Sequence, residues 1–497
     1  MRIYKHKNSL FGFLFVVCAV CFTACSKDDG GFPIGPHHGK ETVAPGELVA
    51  VLDSASMTID EFASAVSSSP MLSFAAGALG NEAVMLKNCM QTILTARRPI
   101  MDAKFRKTLG RDSRGGRQWR LETYTFSYTS LTPTGESVVL SGRVTFPNNT
   151  VDSINHKLDS YTLYSHMFLF SNDWVPSNGF TMMSARALYN SAVIEPDEQG
   201  FGIDQGKHSM IYISSNVRAR QLADCFTAAR KIMQQHGVEL SEEGYTTNWG
   251  DSFAAAVAVA YARYYDLEAS KEERDAIRLK STFAAHGPYI YDDMMIYKNA
   301  HPEIDGMLPL FSILSLNALS TQQRYGYSME DFAPSWVKNE SYIASDGKEY
   351  SLCDAIMYCV DGFADIYQEK YPGNEPLNNI FADDMLTKDG ALDLINKKTQ
   401  AMLKALGDQS VFDKWHPSTD IYMAHGEDDD IVPYSIVKDF YNTLCAQSTD
   451  SRIHWMKAKP LSKSMVQLQG THIAMASEAM IWMMLSPEPK DMAMFYN

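Results

Sequence analysis

The chain has 497 residues, of which 45% are hydrophobic and 21% are charged, and its formal net charge is −15. This composition excludes a disordered protein, and the length predicts either one large decorated domain or two domains. The acidic balance argues against a general nucleic-acid binder, because phosphate binding needs clustered lysine and arginine, and eight cysteines are too few for a disulfide scaffold.

The first residues predict export. A basic start precedes an apolar run from Leu10 to Val20, which is shorter than the roughly 20 residues that span a bilayer, so residues 1–24 are predicted to be a signal peptide. Small residues before Cys25 resemble a bacterial lipobox, which implies that the Cys25 thiol is lipidated. The stretch Ser26 to Asp29 resembles the export signal of Bacteroidetes surface lipoproteins. We therefore expect a bacterial outer-membrane lipoprotein, on the periplasmic or the cell-surface face.

The segment that follows is predicted to be a tether and then a helical region. Residues 25–45 are rich in glycine, proline and charge, which is typical of a flexible tether. Residues 46–118 carry apolar residues at helical spacing, as at Met85 and Cys89, which predicts a helical N-terminal segment. The mature chain keeps five cysteines besides the lipidated one. We interpret them as packing residues and leave disulfide pairing open.

Strands and helices alternate in most of the remaining chain. Two β-rich runs, Tyr124–Ser130 and Val138–Phe146, surround a proline and glycine turn and predict a hairpin. Helical stretches at 217–235 and 253–265 lie among further predicted strands at 161–170, 191–195, 245–248, 279–285, 420–424 and 453–457. This alternation predicts an α/β fold, a mostly parallel twisted sheet with helices on both faces and the hairpin as an antiparallel edge.

The alternation stops between about Tyr297 and Gln409, where the sequence is mostly helical in pattern and rich in Met, Leu, Phe and Tyr. An insertion of this length between two sheet strands is typical of a cap or lid, so residues 298–410 are predicted to form a helical cap. The cap would interrupt one core, with residues 119–297 as its first part and residues 411–497 as its second.

The sharpest local motif runs from Gly250 to Ala254, where a strand meets a helix-forming stretch with Ser252 at the turn. Small residues two positions before and after this serine suit a nucleophile elbow, because bulky neighbours would clash at a strained turn. The motif alone is explained equally well by a serine that caps a helix. Its partners decide between the two interpretations.

Two downstream segments supply those partners. Residues 425–433 are a strand end followed by an acidic turn, and His472 follows Gly470 and Thr471 before the last predicted helix. A serine hydroxyl is a weak nucleophile near neutral pH, so an imidazole must remove its proton and a carboxylate must orient that imidazole. The order Ser, Asp, His, each after a strand, is the order that a triad on an α/β sheet requires.

Together these motifs resemble the α/β-hydrolase superfamily, and within it bacterial lipoproteins similar to secretory lipases and esterases. The resemblance covers about residues 120–300 and 410–495 and depends on four segments, at 193–202, 250–254, 425–433 and 470–472. It implies that Ser252 is the nucleophile, His472 the general base and Asp429 the acid that orients the base.

The acid is the least determined member of this triad. Asp428 and Asp430 flank Asp429, and only the spacing to the following Val-Pro pair selects the middle residue. Asp292 and Asp293, which follow an earlier predicted strand, are a second source of the acid. All these alternatives remain open from the sequence alone.

The tetrahedral intermediate of such a reaction needs two hydrogen-bond donors. The backbone N–H of Phe253, directly after the nucleophile, is expected to be one of them. By the resemblance, the second comes from the loop that holds His166 and Met167, which stand where the family has a His-Gly dipeptide. Met167 replaces the glycine, which leaves the second donor open. His425 is interpreted as a brace for the acidic loop, and His166, His208 and His286 as structural or pocket-lining residues.

The preferred hypothesis is a lipid-anchored serine hydrolase that acts on small-molecule ester or acylated substrates through an acyl-enzyme on Ser252. A serine peptidase of the aminopeptidase type would use the same triad, and a non-catalytic surface lipoprotein with a hydrolase fold is a third hypothesis. No metal, organic cofactor or nucleic-acid partner is implied, and the oligomeric state is open. Removal of residues 1–24 changes the net charge from −15 to −18, so we expect membrane attachment to depend on the lipid.

Overall fold

The computed structural model describes residues 44–68, 119–133, 135–148, 156–167, 172–208, 210–301, 341–345, 347–351, 381–410, 415–448, 451–460 and 471–496, and positions 88, 92, 95–101 and 103. The predicted signal peptide, Cys25, nearly all of the predicted tether and the helical spacing at Met85 and Cys89 lie outside the described residues. Residues 302–340 and 352–380 of the predicted cap and Gly470 also lie outside them.

One nine-stranded sheet forms the centre of the described structure. Its strands are β1 Leu48–Met57, β2 Arg120–Leu131, β3 Ser137–Asn148, β4 His156–Tyr164, β5 Ser191–Pro196, β6 Val238–Asp251, β7 Leu279–Ala285, β10 Asp420–Gly426 and β11 Ile453–Ala458. Their spatial order is β1-β2-β3-β5-β4-β6-β7-β10-β11. The pairs from β5 to β11 are parallel, and the pairs that join β1, β2, β3 and β5 are antiparallel.

Helices cover both faces of this sheet. They are α1 Ile59–Ser67, α2 Ser215–Gln235, α3 Phe253–Leu267, α4 Lys271–Ile277, α5 Tyr291–Ala300, α6 Lys397–Asp408, α7 Tyr434–Gln447 and α8 Thr471–Leu485. Two apolar clusters result, one that includes Phe226 and Val257 and one that includes Trp249 and Met480. None of the helices in the described part of the chain has the length and apolarity to cross a membrane. The two-sided arrangement is the predicted fold class.

The prediction of a helical segment over residues 46–118 is wrong at its start. Strand β1 pairs antiparallel with β2 and forms one edge of the sheet. Most of its side chains are exposed on both faces, so the sequence has none of the alternation that marks a half-buried strand. Helix α1 follows, and the Thr58 side chain and Glu61 cap its first turn reciprocally. Residues 95–101 are helical, in agreement with the prediction.

The predicted cap is not purely helical. Helices α5 and α6 lie at its two ends, but the short strands β8, Ser341–Ile343, and β9, Glu349–Ser351, form an antiparallel hairpin between them. In the register of this hairpin, Tyr342 is paired with Tyr350. Gly347 adopts a φ of +79° in the turn, a conformation that glycine adopts without strain.

Candidate active site

Ser252 lies in the sharp turn between strand β6 and helix α3. Its φ is 53° and its ψ is −130°, a conformation that is strained for a residue with a side chain. The turn brings Gly250 so close to the helix that a Cβ there would lie 2.1 Å from the Ala254 carbonyl oxygen. The Ser252 N–H donates to the Ala285 carbonyl, 2.9 Å away, and so ties the turn to β7. This is the geometry of a nucleophile elbow.

The helix-cap interpretation of Ser252 is correct only for its backbone. The residue is at the N-cap position of α3, but its side chain accepts no N–H from that helix. Instead, the Ser252 Oγ lies 3.1 Å from the Nε2 atom of His472, which is the second residue of α8. The side chain of Ser252 is therefore paired with a base, not with the helix.

Polar side chains in the central strand β6 stabilise the approach to this turn. The Asn248 side chain donates to the Ala258 carbonyl of α3, at 2.9 Å. The Trp249 indole donates to the Thr247 hydroxyl, at 2.8 Å, and the Thr246 hydroxyl donates to the Ile277 carbonyl. Each of these buried donors is hydrogen-bonded, as buried polar groups require, whereas Asn248 Oδ1 has no partner among the described residues. The polarity of this strand is thus compatible with its central position.

Asp429 completes a three-residue chain. The Nδ1 atom of His472 lies 2.9 Å from Asp429 Oδ2 and 3.1 Å from Oδ1. The same carboxylate accepts the backbone N–H groups of Ile431, at 3.0 Å, and Val432, at 2.7 Å. Asp429 is held by its own loop, because the turn after β10 directs backbone donors onto it. Its side chain is fully buried.

The other candidate acids have different partners. Asp430 accepts the backbone N–H groups of Thr471 and His472, at 3.1 and 2.8 Å, and so caps helix α8. Asp428 is exposed. Asp292 and Asp293 belong to helix α5, where Asp292 lies against Gly407. Among the acids considered from the sequence, Asp429 is the one that hydrogen-bonds the His472 imidazole.

The pKa values of His472 and Asp429 depend on each other. Burial alone would lower the pKa of His472, but the Asp429 carboxylate outweighs burial and raises the pKa of His472 to about 9. Burial alone would raise the pKa of Asp429, but the His472 imidazole holds the pKa of that carboxyl well below its usual range. Each partner therefore favours the charged form of the other.

His425 supports the acidic loop, as predicted from the sequence. Its Nε2–H donates to the Val432 carbonyl, 3.0 Å away, across the turn that holds Asp429. Burial lowers the pKa of His425 to about 4, against the opposing effect of the Asp429 carboxylate. The imidazole is thus neutral near pH 7, and its role is to hold the loop.

The predicted oxyanion groups lie at the start of α3 and in the loop after β4, whose Tyr164 pairs with Trp249 of β6. Phe253 begins α3, where backbone N–H groups point out of the helix end. The His166 ring is buried, with Nδ1 2.8 Å from the Met167 carbonyl and Nε2 2.8 Å from the Asp197 carbonyl. Because both ring nitrogens face backbone oxygens, a second oxyanion donor from this loop would have to be a backbone N–H.

Arg218 is a site-supporting residue that the sequence did not indicate. This fully buried guanidinium pairs with Glu198 and donates to the carbonyls of Tyr212, at 3.0 Å, and His166, at 3.1 Å. It therefore joins helix α2 to the loop of the predicted oxyanion group. Its position on the buried face of an amphipathic helix was the available signal, because an arginine there needs a buried partner.

The described residues contain no group of three His, Cys, Asp or Glu side chains placed to hold a metal ion. Two cysteines in the described part of the chain, the buried Cys225 and the partly exposed Cys445, are free thiols. Cys225 packs in the apolar cluster under the sheet, as a small apolar residue does.

Comparison with solved structures establishes the fold. A single-residue variant of LipA, a rice cell wall degrading esterase from Xanthomonas oryzae, matches with a TM-score of 0.59 and 14% identity over 89% of this chain and 97% of that one. A protein from Legionella pneumophila assigned as a hydrolase matches with a TM-score of 0.51 and 16% identity over 80% of this chain and 94% of its own. No family model matches the sequence, and no curated protein matches it significantly. The predicted α/β-hydrolase fold is confirmed.

Proposed function

We propose that this protein of α/β-hydrolase fold is a serine hydrolase that cleaves carboxylic esters through an acyl-enzyme on Ser252. The observation that carries the proposal is the hydrogen-bonded chain from Ser252 through His472 to Asp429, built at the carboxyl ends of β6 and β10. A strained serine turn and a buried carboxylate are needed together for an activated nucleophile, and neither is needed for a simple helix cap.

Acylation begins when His472 Nε2 takes the proton of the Ser252 hydroxyl while Oγ attacks the carbonyl carbon of the ester. Asp429 stabilises the imidazolium that forms, and the Phe253 N–H is proposed to donate to the oxyanion. The tetrahedral intermediate collapses when the C–O bond to the alcohol breaks. His472 then gives its proton to the departing alkoxide, and the acyl group remains on Ser252.

Deacylation repeats these steps with water as the nucleophile. His472 removes a proton from the water, the hydroxyl oxygen attacks the acyl carbon, and the bond to Ser252 Oγ breaks with return of the proton to the serine. The products are a carboxylic acid and an alcohol. Apart from the ester and water, no group outside the chain is needed for proton balance.

Two considerations support esters as the substrate class. The neighbour from Xanthomonas oryzae carries the description of an esterase, and the inserted segment between β7 and β10 is rich in apolar and aromatic residues that suit an acyl or aromatic group. The first substrates to test are therefore p-nitrophenyl esters of short and medium acyl chains.

The test compares these esters with aminoacyl p-nitroanilides on the mature chain and on Ser252→Ala and His472→Ala variants. We expect ester turnover that both substitutions reduce by about 1,000-fold or more while the thermal midpoint changes little. Turnover of the anilides in preference to the esters would favour the peptidase alternative. Ester turnover that persists in either variant would contradict the proposal.

We also propose that a lipid on Cys25 holds this hydrolase at an outer membrane, on the periplasmic or the cell-surface face. The basic start, the short apolar run and the small residues before Cys25 support this location. At a net charge of −18, the mature chain has no electrostatic attraction to an anionic membrane, so one lipidated end must supply its attachment.

A further inference from the structure

A second carboxylate–imidazole pair lies beneath the proposed triad. Asp251 is the last residue of β6, directly before Ser252, and His286 directly follows β7. The Nδ1–H of His286 donates to Asp251 Oδ1 over 2.9 Å, and both side chains are fully buried. Asp251 Oδ2 and His286 Nε2 have no hydrogen-bond partner among the described residues. This hydrogen-bonded pair is not needed for the proton path through Ser252, His472 and Asp429.

The pair connects two strained backbone positions. The φ of His286 is 54° and the φ of Ser252 is 53°, both in the left-handed region that disfavours residues with a side chain. The Ser252 N–H donates to the Ala285 carbonyl, and the His286 N–H donates to the Ala424 carbonyl, each over 2.9 Å. Such strained backbone persists only where surrounding interactions hold it in place. The side-chain bond between Asp251 and His286 closes this network across the ends of β6, β7 and β10.

The pair also contacts the base and the acid loop. The His286 ring lies edge-on to the His472 ring, with centroids 6.2 Å apart and an interplanar angle of 77°. The centroid of the His425 ring, which braces the loop of Asp429, lies 5.9 Å from the centroid of the His286 ring. The buried His286 imidazole therefore packs against His472 and His425. It is also hydrogen-bonded to Asp251, the residue before Ser252.

We propose that Asp251 and His286 form a positioning pair that sets the distance between Ser252 Oγ and His472 Nε2. This inference rests on the proposed function, because it concerns the rate of the same reaction. A bond that fixes the residue before the nucleophile acts on the alignment of attack, so its loss lowers kcat and leaves substrate binding intact. Neither residue touches the substrate in this scheme.

The test uses His286→Leu and His286→Asn in the mature chain, with p-nitrophenyl butyrate as substrate. Asparagine places an amide N–H near the position of Nδ1 and keeps the bond to Asp251, whereas leucine has a similar volume and no donor. We expect kcat of the leucine variant to fall roughly 10- to 100-fold with little change in KM. The asparagine variant should recover kcat to within about 3-fold of the unmodified chain.

The matched control is His156→Leu, which removes a buried histidine at the amino end of β4 that pairs with Asn190 at 2.8 Å. It should lower the thermal midpoint and leave kcat unchanged. If His286→Leu does not fold, His286→Gln replaces it, since its amide lies near the Nε2 position and cannot make the bond to Asp251. The inference is overturned if the donor-free variant turns over like the unmodified chain, or if asparagine gives the same loss. Absence of Ser252-dependent turnover in the unmodified chain would overturn the proposed function as well, and is seen before any variant is compared.

Discussion

The bond between His472 and Asp429 makes turnover depend on pH in a defined direction. A general base must be neutral to accept the serine proton, and the pKa of His472 is raised to about 9 by Asp429, against the effect of burial. We therefore expect kcat/KM for a p-nitrophenyl ester to rise with pH and to level off only above about pH 9. Rates measured with Ser252→Ala are subtracted at each pH to remove alkaline hydrolysis of the ester.

Replacement of Asp429 tests the cause of that shift. Asp429→Asn removes the charge that raises the pKa of His472, so the rising limb of kcat/KM should move to lower pH. The same change allows the His472 tautomer that carries its hydrogen on Nε2, and this tautomer cannot accept the serine proton. Turnover at neutral pH should therefore fall by up to about 10,000-fold. Asp428→Asn, at an exposed neighbour, is the control and should leave the profile unchanged. A profile of Asp429→Asn that superimposes on that of the unmodified chain is incompatible with the triad.

At the residue scale, the sequence predicted the residues that belong to a local motif or to a known order along the chain. Ser252, Asp429 and His472 were predicted because each follows a strand and because their order matches a familiar arrangement. Arg218 and His286 could not be predicted in this way. Their partners, Glu198 and Asp251, are distant in sequence, and neither pair has a spacing that marks it. The position of a buried charged residue is a signal that it needs a partner, but the partner is identified only when the fold shows which residue lies beside it.

The turn between β6 and α3 is the element on which the site depends most. A Cβ on Gly250 would lie 2.1 Å from the Ala254 carbonyl oxygen, which is backbone and cannot rotate away. We expect Gly250→Ala to lower the free energy of unfolding by about 2 kcal/mol or more and to lower kcat by roughly 100-fold through displacement of Ser252.

The control for this change is a glycine with room for a side chain. A Cβ on Gly206, whose φ is +73°, meets no atom within 4 Å. Gly206→Ala should lower the free energy of unfolding by only about 1 kcal/mol, the cost of a left-handed alanine, and leave kcat unchanged. Denaturant melts and ester kinetics on both variants provide the measurement. Equal effects of the two substitutions would show that close packing at the turn is not what Gly250 provides.

Helix α2 is joined to the predicted oxyanion loop by the buried pair of Arg218 and Glu198. Loss of one partner leaves a buried charge without compensation, so Arg218→Met should lower the free energy of unfolding by about 3–5 kcal/mol. Adding Glu198→Gln removes the isolated charge, and the double variant should regain part of that loss. Urea melts of Arg218→Met, Glu198→Gln and the double variant measure the coupling free energy between the two residues. A double variant as unstable as the sum of the single ones would mean that the pair does not act as a unit.

The elements were predicted best where burial gives a clear pattern. Strand β7 has the predicted bounds, because all of its residues except Lys280 are buried and residues 283–285 end it with an apolar run. Strand β1 was missed because its side chains are mostly exposed and its pairing with β2 decides its conformation. The hairpin β8–β9 was missed for a related reason, because a strand of three residues is too short for any period to appear.

At the scale of the whole molecule, the chain combines an α/β-hydrolase core with an acidic surface charge and a predicted lipid anchor. The Cys25→Ser variant, expressed in a bacterium that processes lipoproteins, should lose incorporation of labelled fatty acid and move from the membrane to the soluble fraction. Cys445→Ser, at a free thiol of the folded part, is the control and should stay lipidated. A Cys25→Ser variant that still labels and sediments with membranes would contradict the predicted anchor.

The central claim is that Ser252 is activated by His472, and labelling with a fluorophosphonate probe tests it most directly. The probe reacts with a serine whose proton is removed by a positioned base, and it needs no knowledge of the physiological substrate. The account predicts one adduct, located on Ser252 by peptide mass spectrometry and lost in both Ser252→Ala and His472→Ala. An unlabelled chain, or an adduct that survives the loss of His472, would contradict it.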